Sequence, residues 1–168
     1  MNTFTMRDEI HCTPDRFWQL FVDGDFQRRM YAELGFPKWE IVEEKDDADA
    51  FVRVVKAVPK MDGPAAVVKL LGDRFGYTEE GRFDKASRTF RSVFRGSVMA
   101  DKSRTELTIT CEPKGADRCV RVIDALVEAR VIGLGGMLEK QSEKWLREGW
   151  GRSADLLNAA LANARPFR

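Results

Sequence analysis

The residues in this chain best suited to chemistry are few and scattered. There is one histidine, His11, and three cysteines, Cys12, Cys111 and Cys119. A Ser-His-Asp or Cys-His arrangement would need His11 as its base, and nothing in the sequence places a nucleophile beside it. One histidine with three separated cysteines is not a metal-ligand pattern either. The expectation is therefore no catalytic residue of that kind, no metal and no cofactor. An odd cysteine count without a CxxC reads as reduced thiols in a cytosolic protein. Gly133-Leu134-Gly135-Gly136 follows a strand and opens a helix, but it lacks the GxGxxG register and the βαβ context of a phosphate loop.

Composition narrows the rest. At 168 residues, the chain reads as one domain, 1–168, with a sizeable core. The hydrophobic fraction of 43% and charged fraction of 33% are those of a globular protein. Lys+Arg 28 against Asp+Glu 27 leaves +1, so no global basic signal for nucleic acid exists. No run of about 18 apolar residues is present to span a bilayer. Met1 to Ile10 alternates polar and acidic residues, unlike a signal peptide, which adds to the cytoplasmic expectation.

The elements that must position any site follow from hydrophobic period. Phe4, Met6, Ile10 and Cys12 share one parity, as in a half-buried first strand. Thr13-Pro14 reads as an N-cap with proline at the first helical position, opening a helix to Val22. Asp25 caps a second helix, Phe26 to Leu34, ended by Gly35. Strands follow at Trp39 to Glu44 and Ala50 to Pro59. Lys60 to Gly72 interrupts them with a short apolar helix. Strands resume at Arg74 to Phe83, Arg88 to Arg95, Thr105 to Cys111 and Val120 to Ile132, with a turn at Pro113 to Asp117 and a loop at Gly96 to Ser103.

From Gly135 to Ala164 a single helical pattern runs almost unbroken. Leu138, Ser142, Trp145, Gly149, Ser153, Leu156 and Ala160 fall on one stripe. Lys140, Glu143, Lys144, Arg147 and Asp155 lie opposite. Such a helix closing an antiparallel sheet needs the sheet to curl around it. The small residues on the stripe serve either close packing or the floor of a ligand cavity. Glu139 sits on the inner edge by angle. It is either the polar anchor of a ligand or a first-turn carboxylate favoured by the helix dipole.

The order strand, two short helices, six strands, long C-terminal helix resembles the helix-grip layout of the START-like superfamily, the group of Bet v 1, polyketide cyclases and lipid-transfer proteins. Within it, the chain is most similar to the DUF2505 family. Three stretches carry the resemblance: Ile10 to Phe21, Asp25 to Gly35 and Gly133 to Glu139. It implies an α+β fold, a curved antiparallel sheet of about seven strands wrapped around the long C-terminal helix. It also implies a hydrophobic cavity between them and gating loops at one end. Candidate wall residues are Phe17, Phe21, Trp39, Val68, Leu71, Phe75, Tyr77, Phe94, Leu138, Ser142 and Trp145, with Glu139 as the polar anchor. Residues 60–72 could gate the cavity or touch a membrane surface transiently, and Gly96 to Ser103 would be a second gate. The implied partner is a hydrophobic small molecule or lipid, carried or sensed. A cyclase or aromatase-like enzyme, in which Glu139, Tyr77 or Arg91 would supply the acid or base work, and a protein-interaction module are the alternatives on the same fold.

Overall fold

The computed structural model describes residues 1–73 and 75–163. Its elements are β1 (Asn2–Ile10), α1 (Pro14–Val22), α2 (Gly24–Glu33), β2 (Lys38–Asp46), β3 (Ala50–Val58), α3 (Ala65–Leu71), β4 (Tyr77–Asp84), β5 (Thr89–Gly96), β6 (Ser103–Lys114), β7 (Arg118–Ala129) and α4 (Gly135–Asn163). The strands form one antiparallel sheet in the order β1-β7-β6-β5-β4-β3-β2. The 29 residues of α4 extend about 43 Å at 1.5 Å each and lie against β1 and β7, with α2 alongside. This is the helix-grip layout.

Local chemistry sets the helix starts. Thr13 accepts from the Arg16 backbone N–H at 3.3 Å, and Pro14 needs no intrahelical partner at N1. Asp23, not Asp25, caps α2, accepting from Phe26 N–H at 3.0 Å. The helix therefore begins earlier than periodicity predicts. At the last strand-to-helix junction, Gly135 is required by close approach: a Cβ there would lie 2.4 Å from the Ala129 carbonyl oxygen.

Strand ends differ from expectation where pairing continues beyond alternation. The β6–β7 ladder runs on through Pro113↔Cys119 and Lys114↔Arg118, so the turn shrinks to residues 115–117 with Gly115 at φ +68°. The chain leaves β7 at Ala129, before the predicted Ile132: Arg130 N–H makes one last rung to the Lys102 carbonyl at 2.7 Å, and the Leu134 and Gly135 N–H groups then turn back to the Val131 carbonyl at 3.2 and 2.8 Å. β4 begins at Tyr77. The predicted start at Arg74 and helix end at Ala164 fall outside the described residues.

One register shift matters for the site. Ile41 pairs with Val55 and Glu43 with Val54, so Val42 is the extra residue of a bulge. Val42 is left exposed, and Glu44 comes directly opposite Arg53. Without the bulge, strict alternation from Trp39 would have put Glu44 on the other face.

The inner face is read from the register. Trp39, Ala57 and Tyr77 form one row across β2, β3 and β4. Ile41, Val55, Glu79 and Phe94 form the next, and Arg53, Gly81, Ser92 and Leu107 the one after. Phe51, Phe83, Phe90, Ile109, Ile123 and Met6 close the apolar layer beneath α1. Gly81 lets the Phe90 ring lie flat across β4: a Cβ at position 81 would meet Phe90 Cζ at 2.2 Å. That ring in turn meets Phe21 edge-on at 4.8 Å.

A second, smaller cluster covers one end of the sheet. Val67 and Leu71 of α3 pack on Leu138, with Phe75, Val98, Met99 and Trp145 around them. Trp145 Nε1–H donates to the Asp62 carbonyl at 2.9 Å and to its carboxylate at 3.0 Å, tying the segment before α3 to α4. Among the described residues, no helix is long and apolar enough to cross a membrane.

Candidate site between the sheet, α2 and α4

Among the described residues, two neighbouring small voids lie under the helices. The larger, about 30 Å³, is lined by Phe21, Gln27, Tyr31, Trp39, Arg53, Val55, Glu79, Phe90 and Trp150. The second, about 10 Å³, is lined by Phe17, Leu20, Phe21, Phe26, Gln27, Met30, Arg121, Trp150 and Leu157. The first has room for a water molecule or two and the second for hardly one. Both are far below the several hundred Å³ of a formed small-molecule cavity. Phe21, Gln27 and Trp150 line both voids, so these three side chains are the partition between them.

The walls of the larger void are aromatic. Tyr31 of α2 and Trp39 of β2 stack at 4.7 Å and 9°. Phe21 and Phe90 stand across from them, and Trp150 comes down from α4. Its floor is polar. Arg53, buried on β3, donates through Nε to Glu44 at 2.9 Å and through Nη1 to the Phe21 carbonyl at 3.1 Å; Nη2 donates to the Val22 carbonyl. It thus neutralises Glu44 and satisfies the last carbonyls of α1, which favour a cation.

Glu79 is the unusual group. Part of the residue still touches solvent, yet the protein packed around it pushes its carboxyl up to about 7. Burial is the main cause, with the Ser92 hydroxyl and the Arg53 guanidinium offsetting part of it. Ser92 lies diagonally across the β4–β5 pair from Glu79, and its hydroxyl makes no hydrogen bond of normal geometry. Burial also holds the Tyr31 and Tyr77 hydroxyls protonated, well above their ordinary range. Trp39 Nε1–H is buried without a hydrogen-bond partner, and so is Arg121 Nε–H.

Arg121 borders the smaller void from β7. Its guanidinium donates to Asp8 at 2.8 Å, to the Trp150 carbonyl at 2.7 Å and to Ser153 Oγ at 3.1 Å, and it lies 4.9 Å from the Trp150 ring centroid. It is one of several polar ties of α4 to the sheet, beside Glu139 to the Ala129 N–H and Asn158 to the Glu9 carbonyl.

The residues predicted from sequence divide into groups. Phe21 and Trp39 line the larger void, and Phe17 and Phe21 the smaller. Tyr77 and Phe94 meet edge-on at 5.2 Å in the rows beside Trp39 and Glu79. Leu71, Phe75, Leu138 and Trp145 belong to the cluster over the sheet end, and Val68 and Ser142 are half-buried on the elements that meet there. Glu139 lines neither void. Its carboxylate accepts from the Ala129 N–H at 2.9 Å and pairs with the Met1 ammonium at 2.8 Å, which hold its pKa down. Arg91 is exposed on the outer face of β5, and His11 is exposed at the end of β1. The three cysteines are free, and burial pushes the Cys12 and Cys119 thiols up to about 12, which makes them poor nucleophiles.

Sequence reasoning missed Gln27, Tyr31, Arg53, Glu79, Ser92 and Trp150 as a group. One signal was available: Glu79 shares parity with Tyr77, so a strand that turns Tyr77 inward turns Glu79 inward too.

The element order and sheet topology are those of the helix-grip, START-like fold. A family model described as "Protein of unknown function (DUF2505)" matches residues 5–161, and the chain belongs to that family. Among solved structures, it is similar to the ZhuI aromatase/cyclase from Streptomyces sp. R1128, at 18% identity and TM-score 0.63, covering 97% of this chain and 93% of that one. A START superfamily protein from Mycobacterium smegmatis matches at 14% identity and TM-score 0.60, over 96% of this chain and 98% of that one. Norcoclaurine synthase from Thalictrum flavum matches at 15% identity and TM-score 0.63, over 93% and 86%. At these identities the likeness is one of fold. No curated protein matches the sequence.

Proposed function

We propose that this protein binds a hydrophobic small molecule between the inner face of the sheet, α2 and α4, as a carrier or sensor. The observation that carries this reading is the pair of voids parted only by Phe21, Gln27 and Trp150, walled by aromatic rings and bordered by buried polar atoms without partners. Native proteins rarely leave buried donors unmatched, because each costs about 1–3 kcal/mol. Rotation of the three partition side chains would merge the voids. Outward movement of the Tyr31–Trp39 stack, which stands beside the edge strand β2, would enlarge them toward solvent. In this reading the structure is the closed form. Residues 60–72, latched by Trp145 onto α4, serve as the lid at the sheet end, and contact of this lid with a lipid surface would accompany exchange of an apolar ligand.

Native mass spectrometry and solvent extraction of the purified protein test the proposal. A stoichiometric apolar molecule is the expected result. A protein that carries none, and that shows no saturable binding to a panel of fatty acids, sterols and polycyclic aromatics, would reject it.

A cyclase-like enzyme is the second reading, favoured by one feature. A carboxyl titrating near 7 inside an aromatic site is suited to both giving and taking a proton at neutral pH. Turnover of a polyketide-like substrate that collapses in Glu79→Gln would support it. Ligand retention without turnover would leave the carrier reading in place.

A further inference from the structure

We infer that the ligand is a neutral, flat ring compound carrying a carbonyl or ether oxygen, and that this oxygen accepts hydrogen bonds from Trp39 Nε1–H and the Glu79 carboxylic acid. The inference rests on the ligand-binding reading above and narrows it.

Among the described residues, buried side-chain atoms without a partner are Arg29 Nε, Trp39 Nε1, Ser92 Oγ and Arg121 Nε. Three of the four are N–H groups that can only donate, and the hydroxyl can donate too. Two of them, on Trp39 and Arg121, belong to residues lining the voids. A molecule that completes this interior must therefore bring acceptors.

Charge then excludes an ionic ligand. Arg53 is fully engaged by Glu44 and the end of α1, and Arg121 is paired with Asp8. Neither is left to balance an anion. A cation would need an ionised Glu79 beside Arg53, whose field already opposes it. What remains is a neutral oxygen. Trp39 on β2 and Glu79 on β4 lie in adjacent rows, about 12 Å apart between backbones, with β3 between them carrying only Ala57 and Val55 on this face. Both line the larger void, and one oxygen could sit between them. The flat shape follows from the stacked Tyr31–Trp39 pair on one side and the Phe21, Phe90 and Trp150 rings on the others.

Glu79 donates only while protonated. The groups facing it are Arg53 from β3, Ser92 from β5, Tyr77 on its own strand and Tyr31 from α2, with Trp150 from α4 uncharged. Both tyrosines stay protonated, so Glu79 is the group in this set that titrates near neutrality. Preference for the oxygen should fall as pH rises through about 7.

The test compares two probes of nearly equal size, 2-acetylnaphthalene and 2-isopropylnaphthalene, by titration of tryptophan fluorescence. The full-length protein should bind the acetyl compound at least about tenfold more tightly at pH 6, from satisfaction of buried donors. That ratio should shrink at pH 8. In Trp39→Phe the ratio should fall toward one, whatever happens to absolute affinity, so a loss of packing cannot mimic the effect. In Glu79→Gln, whose amide still donates, the ratio should persist and lose its pH dependence. Equal binding of both probes by the wild-type protein, or an unchanged ratio in Trp39→Phe, would overturn the inference while leaving an apolar binding site. Binding of neither probe would overturn the inference and count against the ligand-binding reading as well.

Discussion

Two residues carry most of the residue-scale argument, Glu79 and Arg121. Burial raises the Glu79 carboxyl from an ordinary 4.5 to about 7. The folded protein then binds more protons than the unfolded chain between these values, so this group makes stability fall as pH rises from about 4.5 to about 7. Glu79→Gln should remove that slope. Its melting temperature, compared with the wild type from pH 4 to pH 8, should gain most at the alkaline end; parallel curves would mean the carboxyl is not held neutral. Arg121 is a different case, a buried cation with Asp8 as its anion. Arg121→Ala strands Asp8 and removes one of the ties of α4 to the sheet, and should cost about 3–5 kcal/mol in urea denaturation. Adding Asp8→Asn to that variant should recover part of the loss, because the uncompensated charge goes with it.

At the scale of elements, the sheet's inner surface depends on two departures from regular β structure. The bulge at Val42 turns Glu44 toward Arg53, and Gly81 makes room for the Phe90 ring. Gly81→Ala would drive a methyl into that ring and displace it toward Phe21, closing the larger void. A loss of about 1–3 kcal/mol is expected by denaturant unfolding, with Phe90→Leu in the same chain restoring part of it. The bulge leaves a trace in β2, where the neighbouring pairs Ile41-Val42 and Glu43-Glu44 break the alternation begun at Trp39, but that pattern alone does not say which residue is the extra one. The Glu79 position could have been read, since it follows Tyr77 at the strand period. Arg53 shares parity with Phe51 and Val55, which turns it inward, and its hydrogen bonds to Glu44 and to the end of α1 satisfy the buried charge there.

For the whole molecule, the question is how a filled interior opens. The smaller apolar cluster at the sheet end is separate from the main core, and residues 60–72 are held to α4 by the Trp145 indole. Trp145→Phe keeps the ring but removes the donor, at a cost of about 1 kcal/mol. Amide hydrogens of residues 64–72 should then exchange faster while those of β6 and β7 do not, as measured by exchange mass spectrometry. Uniformly faster exchange would mean that Trp145 supports the entire fold, not a separable lid.

The sequence by itself determined the order of elements, the start of α1 at Thr13-Pro14, the inward parity of most strands and the long closing helix. Those features are governed by period, capping and turn residues close together in the chain, so local pattern suffices. Tertiary structure alone decided that Glu44, Arg53 and Glu79 converge, that Trp39 leans on Tyr31, and that Glu139 pairs with the chain's own amino terminus. It also decided how little space is left beneath α4. Register and void volume depend on the fit of side chains from strands and helices distant in sequence, and no local pattern encodes the size of a gap.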